Sequence, residues 1–454
     1  MAELSEPDAV RRLVDRFGFG AGGVRLADLQ RDGFNAALDT LLDSTAADPG
    51  VQQTPAPKFD VVEGPARGKD KTRQRGQKGD LTPQQRAERR DYRRQLREQQ
   101  VELTWWWLNR MVAAEHPTRE RLTWFWHGHF ATSVQKVKLA SLMLSQNETF
   151  RSRAMGPFTA LAGALIVDPA LLIWLDGNDN TAQAPNENLA REFMELFALG
   201  HGHYTESDVK EAARALTGWR IQRQTGRVTL RPRRHDDGSK TVLGTTGDLG
   251  AESLVEVLLK QPASAEFVTG RLWFRLVSPT VPSAATRERV LTAYGSGRDV
   301  AATLRAIATS PDFRDPAGSL VKQPVEWLVG VSRALEVVPS VLADPVRRRL
   351  LVALRGMGQI PFRPPSVGGW PAGSAWLTTG AAAARLSAAR VLAEAADLSA
   401  VKKTATRNRS EVIRRLLGVD AFTTRTTNAI SQVVDRPADA VALAAVSPEF
   451  IVSR

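Results

Sequence analysis

The feature that most constrains this chain is the recurrence of one apolar period. Segment after segment places its large apolar residues three and four positions apart, the spacing of one face of an α-helix. Asp8–Phe17 does so with Val10, Leu13, Val14 and Phe17, and Leu26–Leu42 with Leu29, Phe34, Leu38, Leu41 and Leu42. The pattern returns in Thr118–Trp126, Leu139–Phe150, Met155–Val167, Asn186–Leu199 and Glu206–Trp219, then through 251–350 and the Ala-rich 378–454. Strand alternation is confined to Val228–Leu243, where RVTLRP and KTVLG flank the turn Asp236-Asp237-Gly238. The expected fold is mainly α: a single large helical domain over 1–454 with one small β-hairpin near 226–244.

One segment breaks the pattern. Residues 45–84 are polar, rich in Pro, Gly, Lys and Arg, and too poor in large apolar side chains to offset the entropy of ordering, so they read as a disordered or loosely ordered basic insertion. Between Arg67 and Arg97 twelve Lys/Arg face four acids, which concentrates two-thirds of the net charge of +12 in this stretch. Such runs are more often solvated linkers than nucleic-acid sites, so nucleic acid is disfavoured as a partner. Pro83 opens a long helix whose first half is charged and whose second half, with Trp105-Trp106-Trp107, belongs to the core.

The chain contains no Cys, which removes disulfides, thiolate zinc sites and iron–sulfur clusters together. Its start is charged and amphipathic without a signal-peptide core, and no run approaches the length of a membrane span. A cytoplasmic location is expected.

Three constellations carry candidate chemistry. On the Asn186–Leu199 helix, Glu192 and Glu195 stand one turn apart at the i, i+3 spacing of carboxylate-rich metal sites, with Glu187 and Arg191 beside them. His127 and His129 flank Gly128; a helix loosened at that glycine would let both imidazoles converge. His235 and Asp236 precede a hairpin turn, an imidazole next to a carboxylate.

The motifs WFWHGHFATS (124–133), PNENLAREFMELFALG (185–200), YTESDVKEAARALTGW (204–219), RHDDGSKTVLG (234–244) and GMGQIPFRPPSVGGWP (356–371) resemble, in this order, the bacterial domain of unknown function 1800 family. The resemblance implies a mostly helical protein, commonly exported, and a partner similar to the alkaline-phosphatase/sulfatase superfamily. Family patterns are similar at His127, His129, Asn186, Glu187, Asn188, Arg191, Glu192, Glu195, His235 and Asp236.

Two functions fit these residues. In the first, His127, His129, Glu192 and Glu195 hold iron, manganese or zinc, Glu187 or Asp236 acts as base with His235, and Arg191 holds an anionic substrate group during metal-assisted oxidation or hydrolysis. The alternative is a non-catalytic binding or assembly protein with a buried polar network, its basic segment contacting an acidic partner or nucleic acid.

Overall fold

A computed structural model of the protein describes residues 3–62, 64, 82–223 and 225–453. Ser5 caps the first helix, Glu6–Phe17, by accepting from the Asp8 amide. The second expected helix is divided. Gly33, at φ +87°, ends Gly23–Asp32 and caps Phe34–Leu42, a backbone conformation that a β-carbon would strain. Helices then dominate through Pro448–Ile451, and three two-stranded sheets are present among the described residues.

Both halves of the expected hairpin form strands but take different partners. Arg227–Leu230 pairs with Trp219–Gln222, and Lys240–Val242 pairs with Thr245–Gly247. A 3₁₀ turn at Pro232–Arg234 separates them. Pro232 lacks an amide hydrogen and terminates the first strand, while Asp236 is drawn away from a hairpin turn by Arg214. The third pair joins Leu320–Val321 to Val452–Ser453 and ties the chain's end to its middle.

Thr82 and Gln85 form a capping box at the start of the 31-residue helix Pro83–Ala113. Its apolar second half is buried, with Trp107 fully so. Part of the expected insertion is anchored to this helix: Trp106 Nε1 donates to the Thr54 carbonyl at 3.2 Å and Gln99 Nε2 to the Asp60 carbonyl at 2.9 Å. Residues 63 and 65–81 lie outside the described residues.

Thr118–His129 runs between two apolar cores. Leu122, Phe125 and Trp126 join the core built by the N-terminal helices and 158–313, whereas Trp124 joins the one built by the long helix and 325–451. In the C-terminal core the Thr379–Ala395 helix packs on the Pro437–Ala445 helix, and both bury alanines, among them Ala388, Ala389, Ala440 and Ala444. Between the cores Glu120 is buried and accepts from Trp107 Nε1 at 3.0 Å, Arg110 Nε at 2.8 Å and Arg151 Nε at 2.5 Å. Burial alone would raise its pKa, but Arg151 and Arg110 hold it below the ordinary carboxylate value.

Candidate functional site

The Thr118–His129 helix continues through Gly128 without loosening. His127 and His129 therefore project about 200° apart, as a regular helix requires. Each fills a different aromatic cage. His127 lies against Trp107, Phe362 and Trp370, with ring centroids 5.3 Å away in each case. Its Nε2 accepts from the Phe362 backbone N–H at 3.0 Å, which assigns the ring proton to Nδ1. His129 is surrounded by Phe125, Trp126, Phe130 and Phe197, and its Nε2 lies 2.9 Å from the Phe197 carbonyl, so that nitrogen is the donor. Opposite tautomers are thus fixed two residues apart. Burial lowers both pKa values to about 3, so both rings are neutral at pH 7.

The carboxylate helix is α-helical only over Glu187–Glu192; from Phe193 to Ala198 it is a π-helix, closed by the Leu199 amide on the Met194 carbonyl at 2.8 Å. Wider turns change the angle between Glu192 and Glu195 that α geometry would set. The two remain electrostatic neighbours. Glu192 is half-buried and its pKa is raised, first by burial and then by Glu195. Glu195 instead accepts from Tyr204 Oη, which lowers its pKa, and lies 3.0 Å from His201 Nδ1. Arg191 is clamped by Glu206, at 2.7 and 2.8 Å, and by Glu187 at 2.9 Å.

His235 and Asp236 do not act on one another. Asp236 takes a bidentate pair with Arg214 at 2.7 and 3.0 Å, and His235 Nδ1 lies 3.0 Å from the Thr217 carbonyl. The Thr217 hydroxyl accepts from the Asp236 amide at 2.8 Å, tying the 235–238 turn to the end of the Glu206–Ala215 helix. The eight residues singled out in the sequence thus fall into separate groups: two aromatic cages, the Glu187/Arg191/Glu206 clamp, the Glu192/Glu195/Tyr204 group and the Arg214/Asp236 pair. Among the described residues no three His, Asp or Glu side chains are arranged to hold one metal ion. His127 and His129 lie in different aromatic cages, and Arg191, Glu195 and Asp236 are each engaged by other side chains.

A different site emerges beside the long helix. Arg89, Arg93 and Arg97 recur at i, i+4 and i+8, which places them on one stripe, while Asp91, Glu98 and Glu102 fall on the opposite side. The stripe borders a groove of about 810 Å³ whose other walls are Lys138 and Arg363, with Leu96 and Val134 as apolar floor and Tyr92 and Gln100 between. Its ten lining residues include five cations and no carboxylate. Neither Arg89, Arg93 nor Arg97 has an ion pair among the described residues, although Asp91 and Glu98 are engaged by Arg94. Gln100 organises the wall, donating to the Lys138 carbonyl and accepting from Arg363 Nη2, each at 2.8 Å.

Two wall residues sit next to unusual backbone. Lys138 itself has φ +72° and Phe362, before Arg363, has φ +64°. Such conformations cost about 1–3 kcal/mol each and persist only where neighbours enforce them. Here the Phe362 N–H bonds His127 and its carbonyl accepts from the Val134 amide at 2.9 Å. His127, from the first constellation, thereby aims Arg363 at the groove. The arginine stripe was legible as an i+4 repeat; Arg363 and Lys138 were not, because only tertiary packing brings them to it.

The architecture is that of a mainly α-helical protein with several separate ion clusters and a basic groove that has no carboxylate among its described lining residues. No curated protein and no solved structure matches it. The chain belongs to the family described as Protein of unknown function (DUF1800), whose pattern matches residues 12–452. No helix among the described residues is long and apolar enough to cross a membrane.

Proposed function

We propose that this is a binding or assembly protein whose groove along Arg89, Arg93 and Arg97 receives an acidic segment of a protein partner. The observation that carries the reading is five cations converging on one groove without a carboxylate. Like charges at i, i+4 destabilise a helix by about 0.2–0.5 kcal/mol per pair, so an unneutralised stripe is a cost that binding would recover. The floor of Leu96 and Val134 favours a peptide that offers an apolar anchor between acidic residues. A nucleic-acid strand would use stacking faces, of which this groove has one, Tyr92. Charged contacts at the rim would govern encounter rate and salt dependence, and the apolar floor would govern residence time.

The test is fluorescence anisotropy with a labelled Glu-rich peptide carrying one Leu, and with single-stranded and duplex oligonucleotides of equal charge, on the full chain. Peptide binding that weakens with salt and falls at least ~10-fold, or about 1.4 kcal/mol, in Arg89→Glu/Arg93→Glu/Arg97→Glu is the expected result. Tighter binding of an oligonucleotide would transfer the groove to nucleic acid. Equal peptide binding by the triple variant would end the reading.

A further inference from the structure

One end of the basic groove is built around a single neutral side chain. Gln100 is buried; it donates to the Lys138 carbonyl and accepts from Arg363 Nη2, each at 2.8 Å. Arg97 stands three residues before Gln100 on the same helix, which sets their β-carbons about 5–6 Å apart. Arg97, Lys138 and Arg363 are therefore gathered around Gln100, and all three line the groove. Arg93 lines it one turn before Arg97.

Nothing among the described residues offsets the charge of this cluster. Arg97 and Lys138 have no ion pair there, and the Arg363 side chain has one hydrogen bond, to the neutral Gln100. Arg363 is only partly exposed. Burial lowers its pKa, the next contribution comes from a second cation, Arg355, and no carboxylate acts in the other direction. Partial burial of a guanidinium without a counter-charge is unfavourable, and cations gathered around one amide repel each other. An anion bound among them would relieve both costs.

The number and kind of these groups select the anion. Arg97, Lys138 and Arg363 offer donors only, and Gln100 spends its amide oxygen on Arg363. One carboxylate brings a single charge and two oxygens to three cations. A phosphate monoester brings close to two charges at pH 7 and three strong acceptor oxygens. A phosphodiester, as in a nucleic-acid strand, again brings a single charge.

We infer that this end of the groove is a phosphate-monoester site, which receives a phosphorylated side chain within the acidic segment of the partner. Leu96 and Tyr92, one and two turns before Gln100, give apolar surface to the side chain that bears the phosphate. The groove, at about 810 Å³, has room for the phosphate together with the residues that flank it. The inference rests on the reading of the groove as a peptide site.

The site is tested by fluorescence anisotropy on the full chain with the labelled Glu-rich peptide carrying one Leu. Versions with phosphoserine at each position in turn are compared with controls of equal length and net charge built from Glu alone. At least one phosphopeptide should bind ~10-fold or more tightly than its control at pH 7. That preference should shrink as pH falls through about 6, where the phosphate takes up its second proton. The described lining of the groove holds no His or carboxylate to titrate there. Arg363→Gln and Lys138→Gln should each remove most of the preference while weakening the Glu control less. If Arg363→Gln does not fold, Lys138→Gln decides. Full preference in the folded variants would overturn the assignment, as would a preference unchanged at pH 5. Equal binding of every phosphopeptide and its control would overturn it too, and would leave the groove reading intact where the Glu peptide still depends on Arg89, Arg93 and Arg97. If no peptide binds, the groove reading falls and the phosphate site with it.

Discussion

His127 Nε2 accepts the backbone N–H of Phe362 at 3.0 Å, and through that bond a fully buried imidazole holds a bulky residue at φ +64°. Removing the acceptor leaves a buried amide unpaired beside a strained residue. His127→Leu should lower stability by about 1–3 kcal/mol in urea denaturation. Because Arg363 follows Phe362, the same variant should weaken peptide binding at the groove. Unchanged affinity in a folded His127→Leu protein would separate the imidazole from the groove.

Acid should act on the two histidines together. Their pKa values fall from an ordinary 6.5 to about 3 on folding, so the unfolded chain binds more protons between these limits. The stability contributed is complete above pH 6.5 and is lost as pH falls toward 3. Each histidine should tilt the curve by about 1.4 kcal/mol per pH unit within that window. Stability measured by denaturant titration from pH 7 to 4 checks the slope.

Asp168 should tilt the same curve the other way. It is buried, caps the Leu171 amide at 2.9 Å and accepts from Gln146 at 2.7 Å, yet burial pushes its pKa up to about 7. The native state here holds the extra proton, so this group's contribution declines as pH rises from 3.8 toward 7. Asp168→Asn keeps the cap without the charge. It should be more stable than wild type by on the order of 1–3 kcal/mol at pH 8, with the difference vanishing near pH 4. A difference independent of pH would refute the ionisation argument.

Glu120 joins the Trp107 indole to two guanidinium groups between the cores. Glu120→Gln leaves Arg151 and Arg110 without their shared counter-charge. A loss of about 3–5 kcal/mol is expected in chemical denaturation, far more than an exposed ion pair supplies. A loss under 1 kcal/mol would mean that the network is not what joins the cores.

The Glu192/Glu195 face is tested by elemental analysis. With Glu195 held by Tyr204 and His201 and both core histidines bonded elsewhere, purified protein and a Glu192→Ala/Glu195→Ala variant should carry the same substoichiometric transition metal. One equivalent of iron, manganese or zinc in wild type, lost in the variant, would restore the metal reading.

The helical periods were legible because an apolar stripe at i, i+3 and i+4 is a local property, but the break at Gly33 was not, because the apolar period of Leu26–Leu42 continues across it. The arginine stripe at 89, 93 and 97 was written in the same code. What failed was the convergence of polar residues. The expectation placed Glu192 and Glu195 with α-helical angles, but a π-helix intervenes where Phe193 and Phe197 pack into the core. It also loosened the helix at Gly128, whereas the backbone stays regular there.

Sequence alone determined most of the helical segments, the two strands near 226–244 and the position of the positive charge, since each depends on neighbours within a few residues. Only the tertiary structure decided which side chains share a site. Arg363 reaches Gln100, and Trp370 reaches His129, across more than two hundred residues, where packing geometry rather than local propensity sets the contact.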